Sequence, residues 1–178
     1  CKGNLSVSVG MTEPEAGSDL TSLTTHAVED GDGYVLNGRK SFITGGGHAS
    51  HYMVYTRFGE TKGYKGIGGL LVEKGMPGFS FGKKEDKMGI RASATRELIF
   101  QDCRVPADNL LGPENSGFFT IMANFQAERL SLAIMATMTA QLALEQCLAY
   151  VKERTTFGKP LSKHQVIRHK LAEMATQV

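Results

Sequence analysis

Residues 118–157 read FFTIMANFQAERLSLAIMATMTAQLALEQCLAYVKERTTF and contain neither glycine nor proline. Both residue types interrupt helices, so their absence predicts one helix of unusual length. Apolar side chains recur in it at spacings of three, four and seven residues, namely Ile121, Phe125, Leu132, Met135 and Met138. The other half is different in kind, because 20 of the 21 glycines lie in residues 1–117. The change in composition predicts a domain boundary, with a β domain over 1–112 and the start of a helical domain over 113–178.

A second helix is expected after the stop formed by Gly158 and Pro160. The hydroxyl of Ser162 could cap its first turn. Apolar residues then follow at helical spacing through Val166, Ile167, Leu171 and Met174. Long antiparallel helices usually pack into bundles. We therefore predict an α+β fold in which an antiparallel, barrel-like β domain precedes the long helices of an antiparallel bundle.

The glycine-rich half has the pattern of short strands. Leu5, Val7 and Val9 alternate with serines, and Asn37-Gly38 predicts a type I′ hairpin turn that joins 34–36 to 40–43. Further apolar runs are separated by glycine, proline and charge, at 52–55, 70–72, 79–81 and 98–100. This spacing predicts an antiparallel β domain with one buried face.

The composition argues against several functional classes. Twenty basic and 18 acidic residues give a net charge of +2, which provides no general attraction to nucleic acid or anionic lipid. No apolar run approaches the roughly 20 residues that span a bilayer. Cys1, Cys103 and Cys147 lack a CxxC spacing, and His48-x-x-His51 follows three glycines as a turn would, so no metal site is predicted. Neither a Rossmann nor a P-loop glycine pattern occurs.

The stretch Thr12-Glu13-Pro14-Glu15-Ala16-Gly17-Ser18-Asp19 is the most informative loop. It follows a strand and brings hydroxyls, small residues and a tight-turn glycine together. Such a loop can present N–H groups and hydroxyls to a phosphate or to the polar edge of a ligand. A capped turn without a ligand is the alternative.

Four motifs together resemble one family. Thr-Glu-Pro-x-Ala-Gly-Ser-Asp at 12–19 is followed by Asn-Gly-x-Lys-x-Phe-Ile-Thr at 37–44, then by Gly-Ile-Arg-Ala-Ser at 89–93 and Glu-Arg-x-Thr-Phe-Gly at 153–158. Their order is that of acyl-CoA dehydrogenases, and the similarity extends over essentially the whole chain. Because the sequence opens without methionine and stops within a helical pattern, we expect it to be a piece of a longer protein.

The resemblance implies an FAD site. In the family the first loop surrounds the pyrimidine edge of the isoalloxazine, and the second motif covers one flavin face near N5, where Phe42 stands at a place often held by tryptophan. The last motif reaches the FAD of a neighbouring subunit, with a guanidinium suited to pyrophosphate and a phenyl ring suited to adenine. The implied cofactor-binding residues are Val9, Met11, Thr12, Gly17, Ser18, Phe42, Ile43, Thr44, Arg154, Thr156, Phe157, His164 and Gln165.

Glu128 is the predicted catalytic base. The resemblance to isovaleryl and long-chain members places a glutamate directly before an arginine on the long helix, as in Glu128-Arg129. The helical pattern places Glu128 on the stripe of Phe125 and Leu132, where burial would raise its pKa toward neutrality. A surface glutamate is the alternative, and most of the family carries its base beyond the point where this chain ends. Ser18, Phe125 and Arg129 are the implied substrate contacts.

The implied reaction is α,β-dehydrogenation of an acyl-CoA thioester, in which the glutamate takes the α-proton and flavin N5 the β-hydride. The implied partners are the acyl-CoA, an electron-transferring flavoprotein and further copies of the chain in a homotetramer. The base position favours branched or longer acyl groups. A soluble protein is expected, cytoplasmic in a bacterium or in the mitochondrial matrix of a eukaryote. An acyl-CoA oxidase or flavin monooxygenase of the same fold, or a non-enzymatic scaffold, remain alternatives.

Overall fold

The computed structural model describes residues 2–178. The chain divides into two compact units. The first ends at Ile121, and the second comprises Met122–Val178. The first unit is built on a sheet of β1 (Val7–Gly10), β2 (His26–Asp30), β3 (Gly33–Thr44), β4 (His51–Phe58), β5 (Ile67–Glu73), β6 (Phe79–Lys84) and β7 (Thr95–Pro106). Single 3-10 turns occur at Leu20–Ser22, Gly63–Gly66, Ala107–Asn109 and Glu114–Ser116. The predicted α+β class is confirmed.

The sheet is mixed rather than wholly antiparallel. Its order is β1-β4-β2-β3-β7-β6, and β5 pairs with β4. The long pairings β3 with β7 and β4 with β5 are antiparallel, as predicted. However, β1 and β2 both run parallel to β4, which the alternating sequence pattern does not reveal. In β1 the side chains of Val7 and Val9 face outward, whereas Ser8 is buried.

The predicted hairpin at Asn37-Gly38 is wrong. Both residues lie inside β3, where a register shift accommodates the unusual φ of 141° at Gly38. The Asn37 side chain instead bonds to Asp102 across the sheet, donating at 3.1 Å to the carboxylate and accepting at 2.8 Å from the backbone N–H. The turn comes earlier, at Gly31-Asp32, which connects the paired residues Asp30 and Gly33. Pairing along the length of β7 outweighs the local turn preference.

One hydrophobic core lies against the sheet. Its fully buried side chains come from most strands of the first unit, among them Leu36, Tyr52, Val54, Leu70, Val72 and Leu98. Phe79 and Phe100 stack at 5.0 Å, and Tyr52 meets the edge of Phe79 at 5.1 Å. These contacts confirm the strands predicted at 52–55, 70–72, 79–81 and 98–100. The core fixes β3 and β4, and with them the loops at their ends.

The predicted long helix is confirmed as α1 (Gly117–Glu153), which has 37 residues. It is followed by the paired strands β8 (Thr155–Thr156) and β9 (Lys159–Pro160), a 3-10 turn at Leu161–Lys163, and α2 (Gln165–Gln177). Ser162 therefore does not cap α2. Its N-cap position belongs to His164, whose side chain makes no capping bond.

Most of the apolar stripe of α1 is exposed, including Leu132, Met135 and Met138. By length and composition alone, 114–153 is apolar enough to cross a membrane. Polar residues such as Thr137 and Gln141 interrupt its apolar runs, yet its mean hydropathy stays high. Long helices from the cores of bundles meet the same criterion.

The start of α1 is held by a close crossing of two glycines. A Cβ on Gly117 would lie 2.8 Å from Cα of Gly68 on β5, and a Cβ on Gly68 would lie 1.8 Å from the carbonyl oxygen of Glu114. The Tyr34 hydroxyl adds a hydrogen bond of 2.8 Å to the Glu114 carboxylate. Only residues without a side chain permit this approach.

Candidate functional site

The loop at 11–19 is tied to β3 by backbone and side-chain bonds. The N–H of Ser41 donates to the carbonyl of Thr12 at 2.8 Å. Within the loop, Glu13 and Ala16 exchange N–H to carbonyl bonds of 2.9 and 3.2 Å, which close a tight turn. Asp19 ends the loop by accepting from the N–H of Thr21 at 3.0 Å. Pro14 and Glu15 form the corner of this turn, and Met11 and Thr12 lie directly beside β3.

A buried ion pair lies beneath this loop. Nζ of Lys40 is 2.7 Å from Oε1 of Glu13, and the two side chains are 0% and 1% exposed. Glu13 also accepts from the N–H and hydroxyl of Thr24, both at 2.7 Å, and from the N–H of Thr25 at 3.0 Å. Lys40 donates in addition to the carbonyl of Met11 at 3.2 Å. The pair thus connects the loop, the residues before β2, and β3.

Burial and pairing act on both charges of this pair. Burial by itself would raise the pKa of Glu13, but the Lys40 charge and the hydrogen bonds from Lys40, Thr25 and Thr24 outweigh it and lower that pKa to about 2. Burial lowers the pKa of Lys40 to about 8, because the attraction of Glu13 offsets the lost hydration only in part. Both groups remain charged at neutral pH. Their partners satisfy them, which a buried pair requires.

A bulge in β3 presents Phe42 to solvent. Lys40 and Ser41 are buried in succession, and the register with β7 shifts between Lys40 and Ile43. Phe42 itself has a φ of 59° and is 65% exposed. A bulky residue with positive φ is strained, and such strain is concentrated at functional sites. Bulges commonly re-aim one side chain in this way. Thr44 is exposed as well, whereas the Ile43 side chain is buried and could reach a ligand only through its backbone.

These groups suit the polar edge and one face of a flavin. Thr12, Ser18 and Thr44 supply hydroxyls, and none of the three is fully buried. Val9, 41% exposed, and Phe42 supply apolar surface for a planar ring. Gly17 and Ser18 lie in the exposed part of the loop, and a Cβ on Gly17 would meet nothing within 4 Å. The chemistry of the donors and the exposed aromatic ring both fit the isoalloxazine of FAD.

A second group of predicted residues lies on the hairpin β8–β9. Thr156 pairs with Lys159, so Phe157 and Gly158 form a two-residue turn with φ of 50° and 72°. Positive φ at both positions is the signature of a type I′ turn. The turn leaves the Phe157 ring 96% exposed. An exposed aromatic ring held at a strained position is suited to stack on an adenine.

His164 and Arg154 flank this hairpin. Nε2 of His164 is 3.1 Å from the hydroxyl of Thr156, and its ring meets that of Phe157 edge to face at 6.2 Å. Arg154 is exposed just after the end of α1, and Gln165 is the exposed first residue of α2. Within the second unit, the structure therefore brings together Thr156, Phe157 and His164. The Arg154 side chain is exposed and can therefore meet an anion.

Glu128 is exposed on α1, so the expectation that its stripe is buried is wrong for the described residues. Ile121 is buried, but Leu132 is 59% exposed. The helical period identifies an apolar face without identifying what covers it. The guanidinium of Arg129 lies over the ring of Phe125, 5.5 Å from its centroid. The three predicted residues, Phe125, Glu128 and Arg129, are therefore neighbours on one helix.

Comparison with known proteins decides the family. The model of the acyl-CoA dehydrogenase middle domain matches residues 8–103, and that of the C-terminal domain matches 115–178. The chain belongs to the acyl-CoA dehydrogenase family. Its relatives include the short-chain specific acyl-CoA dehydrogenase of Megasphaera elsdenii, 48% identical over 95% of this chain and 44% of the relative. The mitochondrial isobutyryl-CoA dehydrogenase of Dictyostelium discoideum is also 48% identical, over 94% and 40%.

Solved structures of the acyl-CoA dehydrogenase family show the same fold. A probable acyl-CoA dehydrogenase from Mycobacterium abscessus is 53% identical and superposes with a TM-score of 0.93 over 97% of this chain and 46% of its own. A chain from a structure described as the electron transferring flavoprotein of Acidaminococcus fermentans is 46% identical, with a TM-score of 0.93 over 98% and 46%. The chain thus spans a little under half the length of the acyl-CoA dehydrogenases it matches. The predicted resemblance is confirmed.

Sequence reasoning missed two residues that support the candidate site. Glu13 and Lys40 were quoted only as parts of motifs, yet their ion pair anchors the loop. A signal was present in β3, where Tyr34, Leu36 and Lys40 share the parity of the buried face. A lysine at an inward position requires a buried acceptor, and this would have identified Lys40 as paired.

Proposed function

We propose that this chain carries flavin- and substrate-contacting parts of an FAD-dependent acyl-CoA dehydrogenase that converts a saturated acyl-CoA to the trans-2-enoyl-CoA. The observation that carries the proposal is the exposed surface formed where the loop at 11–19 meets the bulge of β3. Thr12 and Phe42 are brought together there by the 2.8 Å bond between Ser41 and Thr12. Hydroxyls and an outward aromatic ring at one place are the features that a flavin ring requires.

The cofactor contacts divide between the two units of the chain. In the first unit, Val9, Met11, Thr12, Gly17, Ser18 and the residues 42–44 would hold the isoalloxazine, Ile43 through its backbone. In the second, Arg154 would pair with the pyrophosphate and Phe157 would stack on the adenine of an FAD held by a neighbouring subunit, supported by Thr156, His164 and Gln165. When bound, FAD supplies the acceptor for the β-hydride at N5.

Glu128 is proposed as the base that takes the α-proton. Its carboxylate is exposed, so it is accessible to a substrate. Phe125 and Arg129 lie on the same helix and would line the acyl-CoA site, together with Ser18. The ring of Phe125 shields one face of the Arg129 guanidinium, which orients that charge without neutralising it. A general base contributes about 10²–10⁴-fold to rate, so its loss is measurable.

We further propose that electrons pass to an electron-transferring flavoprotein and that the protein is a homotetramer, with no nucleic acid, metal or membrane partner. The names of the matched relatives support acyl-CoA substrates, and the match to a chain from an electron transferring flavoprotein structure supports the acceptor. Arg154 contacting the FAD of another subunit would require at least a dimer. Placement in the cytoplasm of a bacterium or the mitochondrial matrix of a eukaryote accords with this acceptor.

The test is anaerobic bleaching of the flavin in the full-length, FAD-loaded protein by a panel of straight and branched acyl-CoA thioesters. We expect rapid bleaching by the wild type and a rate at least about 100-fold lower for Glu128→Gln. Glu145→Gln is the matched control, because Glu145 is an exposed glutamate on the same helix whose carboxylate accepts from Gln141 at 2.7 Å. It should react like the wild type.

Each other outcome assigns the function differently. Equal bleaching by Glu128→Gln and wild type would keep the dehydrogenase and transfer the base to a glutamate outside this chain. Reoxidation of the bleached flavin by air within seconds would favour an oxidase. Failure of every thioester to bleach a flavin-loaded wild type would refute the proposed reaction.

A further inference from the structure

The buried ion pair of Glu13 and Lys40 has no direct access to a ligand, since both side chains are covered. It nevertheless lies beneath the residues proposed to contact the flavin. Lys40 directly precedes the bulge that turns Phe42 outward, and Glu13 directly follows Thr12. Burying two charges removes their hydration, and the pair with its hydrogen bonds must offset that loss. Well-packed apolar residues often stabilise a fold as well as such a pair or better, so stability alone does not explain it.

We propose that Glu13 and Lys40 are positioning residues that set the geometry of the flavin-contacting loop relative to β3. Lys40 acts from the β3 side, donating to the carbonyl of Met11 at 3.2 Å and to Glu13 at 2.7 Å. Glu13 acts from the loop side, accepting from Thr24 and Thr25 ahead of β2. This inference rests on the proposed function, because it assumes that the loop meets a flavin.

The contacts are directional, which is the main argument. An apolar contact between the loop and β3 would permit sliding, whereas the Lys40 ammonium has acceptors in fixed directions at Met11 and Glu13. A shift of the loop that breaks either bond leaves a charge buried and incompletely satisfied. The backbone carbonyls of Met11 and Thr12 are therefore fixed relative to Ser41 and to the bulge. Ligand contacts held to within about 0.5 Å require such support from neighbouring groups.

The experiment measures FAD affinity and the shape of the visible flavin absorption band in full-length protein. Lys40→Met removes the donor to Met11 and leaves Glu13 buried without its counter-charge. We expect the FAD dissociation constant to rise at least about tenfold, with a changed absorption band. The double variant Glu13→Gln/Lys40→Met removes both charges. It should recover much of the lost stability, because no unpaired charge remains, while its FAD affinity stays low.

A control of comparable destabilisation separates positioning from stability. Val105 is a buried residue of β7 that pairs with Tyr34, at the end of β3 away from Lys40. Val105→Ala leaves a cavity there. It should lower stability without changing FAD affinity or the absorption band. If Val105→Ala and Lys40→Met weaken FAD binding equally for the same loss of stability, the inference is overturned. An unchanged dissociation constant and spectrum in Lys40→Met would also overturn it.

Failure of this inference is distinguishable from failure of the proposed function. A wild type that binds FAD but is not bleached by any acyl-CoA refutes the proposed reaction, while the affinity and spectral comparison still decides the role of the pair. A wild type that binds no FAD refutes both. Bleaching with intact affinity in Lys40→Met refutes the positioning role alone.

Discussion

The crossing of Gly68 and Gly117 predicts a large effect from adding a single methyl group. A Cβ on Gly68 would lie 1.8 Å from the Glu114 carbonyl oxygen, 2.8 Å from the Glu114 carbonyl carbon and 2.5 Å from Cε2 of Phe58. Two of these atoms are backbone, so a side-chain rotation cannot relieve them. The segment before α1 would have to move by more than 1 Å to reach an ordinary contact distance of about 3.4 Å or more.

Such a movement breaks contacts that can be named. The Tyr34 hydroxyl would lose its 2.8 Å bond to Glu114, and the N–H of Leu111 would lose its 2.9 Å bond to the carbonyl of Gly69. Overpacking costs about 1–3 kcal/mol, and each lost hydrogen bond about 1 kcal/mol. We therefore expect Gly68→Ala to lower the free energy of unfolding by about 3–5 kcal/mol.

Urea unfolding of the full-length protein, followed by circular dichroism at fixed FAD concentration, measures this change. Gly89→Ala is the matched control, because a Cβ there meets nothing within 4 Å and its φ is not positive. The control should be neutral or stabilised by up to about 1 kcal/mol. A Gly68→Ala protein within about 0.5 kcal/mol of wild type, the usual range of surface substitutions, would refute the packing argument.

Two further predictions concern acid and the turn at Phe157. Because the pKa of Glu13 is lowered from 4.5 to about 2, its stabilisation is complete above pH 4.5 and is lost as the pH falls toward 2. The free energy of unfolding, measured with denaturant at several pH values across that window, should fall by about 3 kcal/mol as Glu13 is protonated. This fall should be absent in Glu13→Gln. Phe157→Asn suits a positive φ and should gain up to about 1 kcal/mol in stability while weakening FAD binding, as titration would show. Unchanged FAD binding would refute the adenine contact.

The long helix could be predicted because its signal is local and continuous. Residues 118–157 lack helix breakers, and α1 occupies nearly all of that range. Whether Glu128 is buried or exposed could not be predicted in the same way. Periodicity identifies a face, but its partner comes from elsewhere in a structure, and the described residues leave Leu132 and Glu128 exposed.

The turns show the opposite limit of local reasoning. Asn37-Gly38 has the strongest short turn signal in this sequence, yet it lies within β3 because pairing with β7 continues on either side of it. Phe157-Gly158 has no such preference at its first position, yet it forms the type I′ turn. Strand pairing overrides the turn preference of Asn37-Gly38. At Phe157-Gly158 the turn forms although its first residue is a strained phenylalanine.

The same strain occurs at both aromatic residues proposed to contact a flavin cofactor. Phe42 and Phe157 are aromatic residues with φ of 59° and 50°, and both are largely exposed. Neither the conformation nor the exposure favours folding, since a bulky residue with positive φ costs about 1–2 kcal/mol and an exposed ring gains nothing from the core. Stability alone would therefore replace Phe157 with asparagine or glycine. Ligand groups that stack on each ring would repay this cost on binding, so FAD should stabilise the wild type more than it stabilises Phe157→Asn.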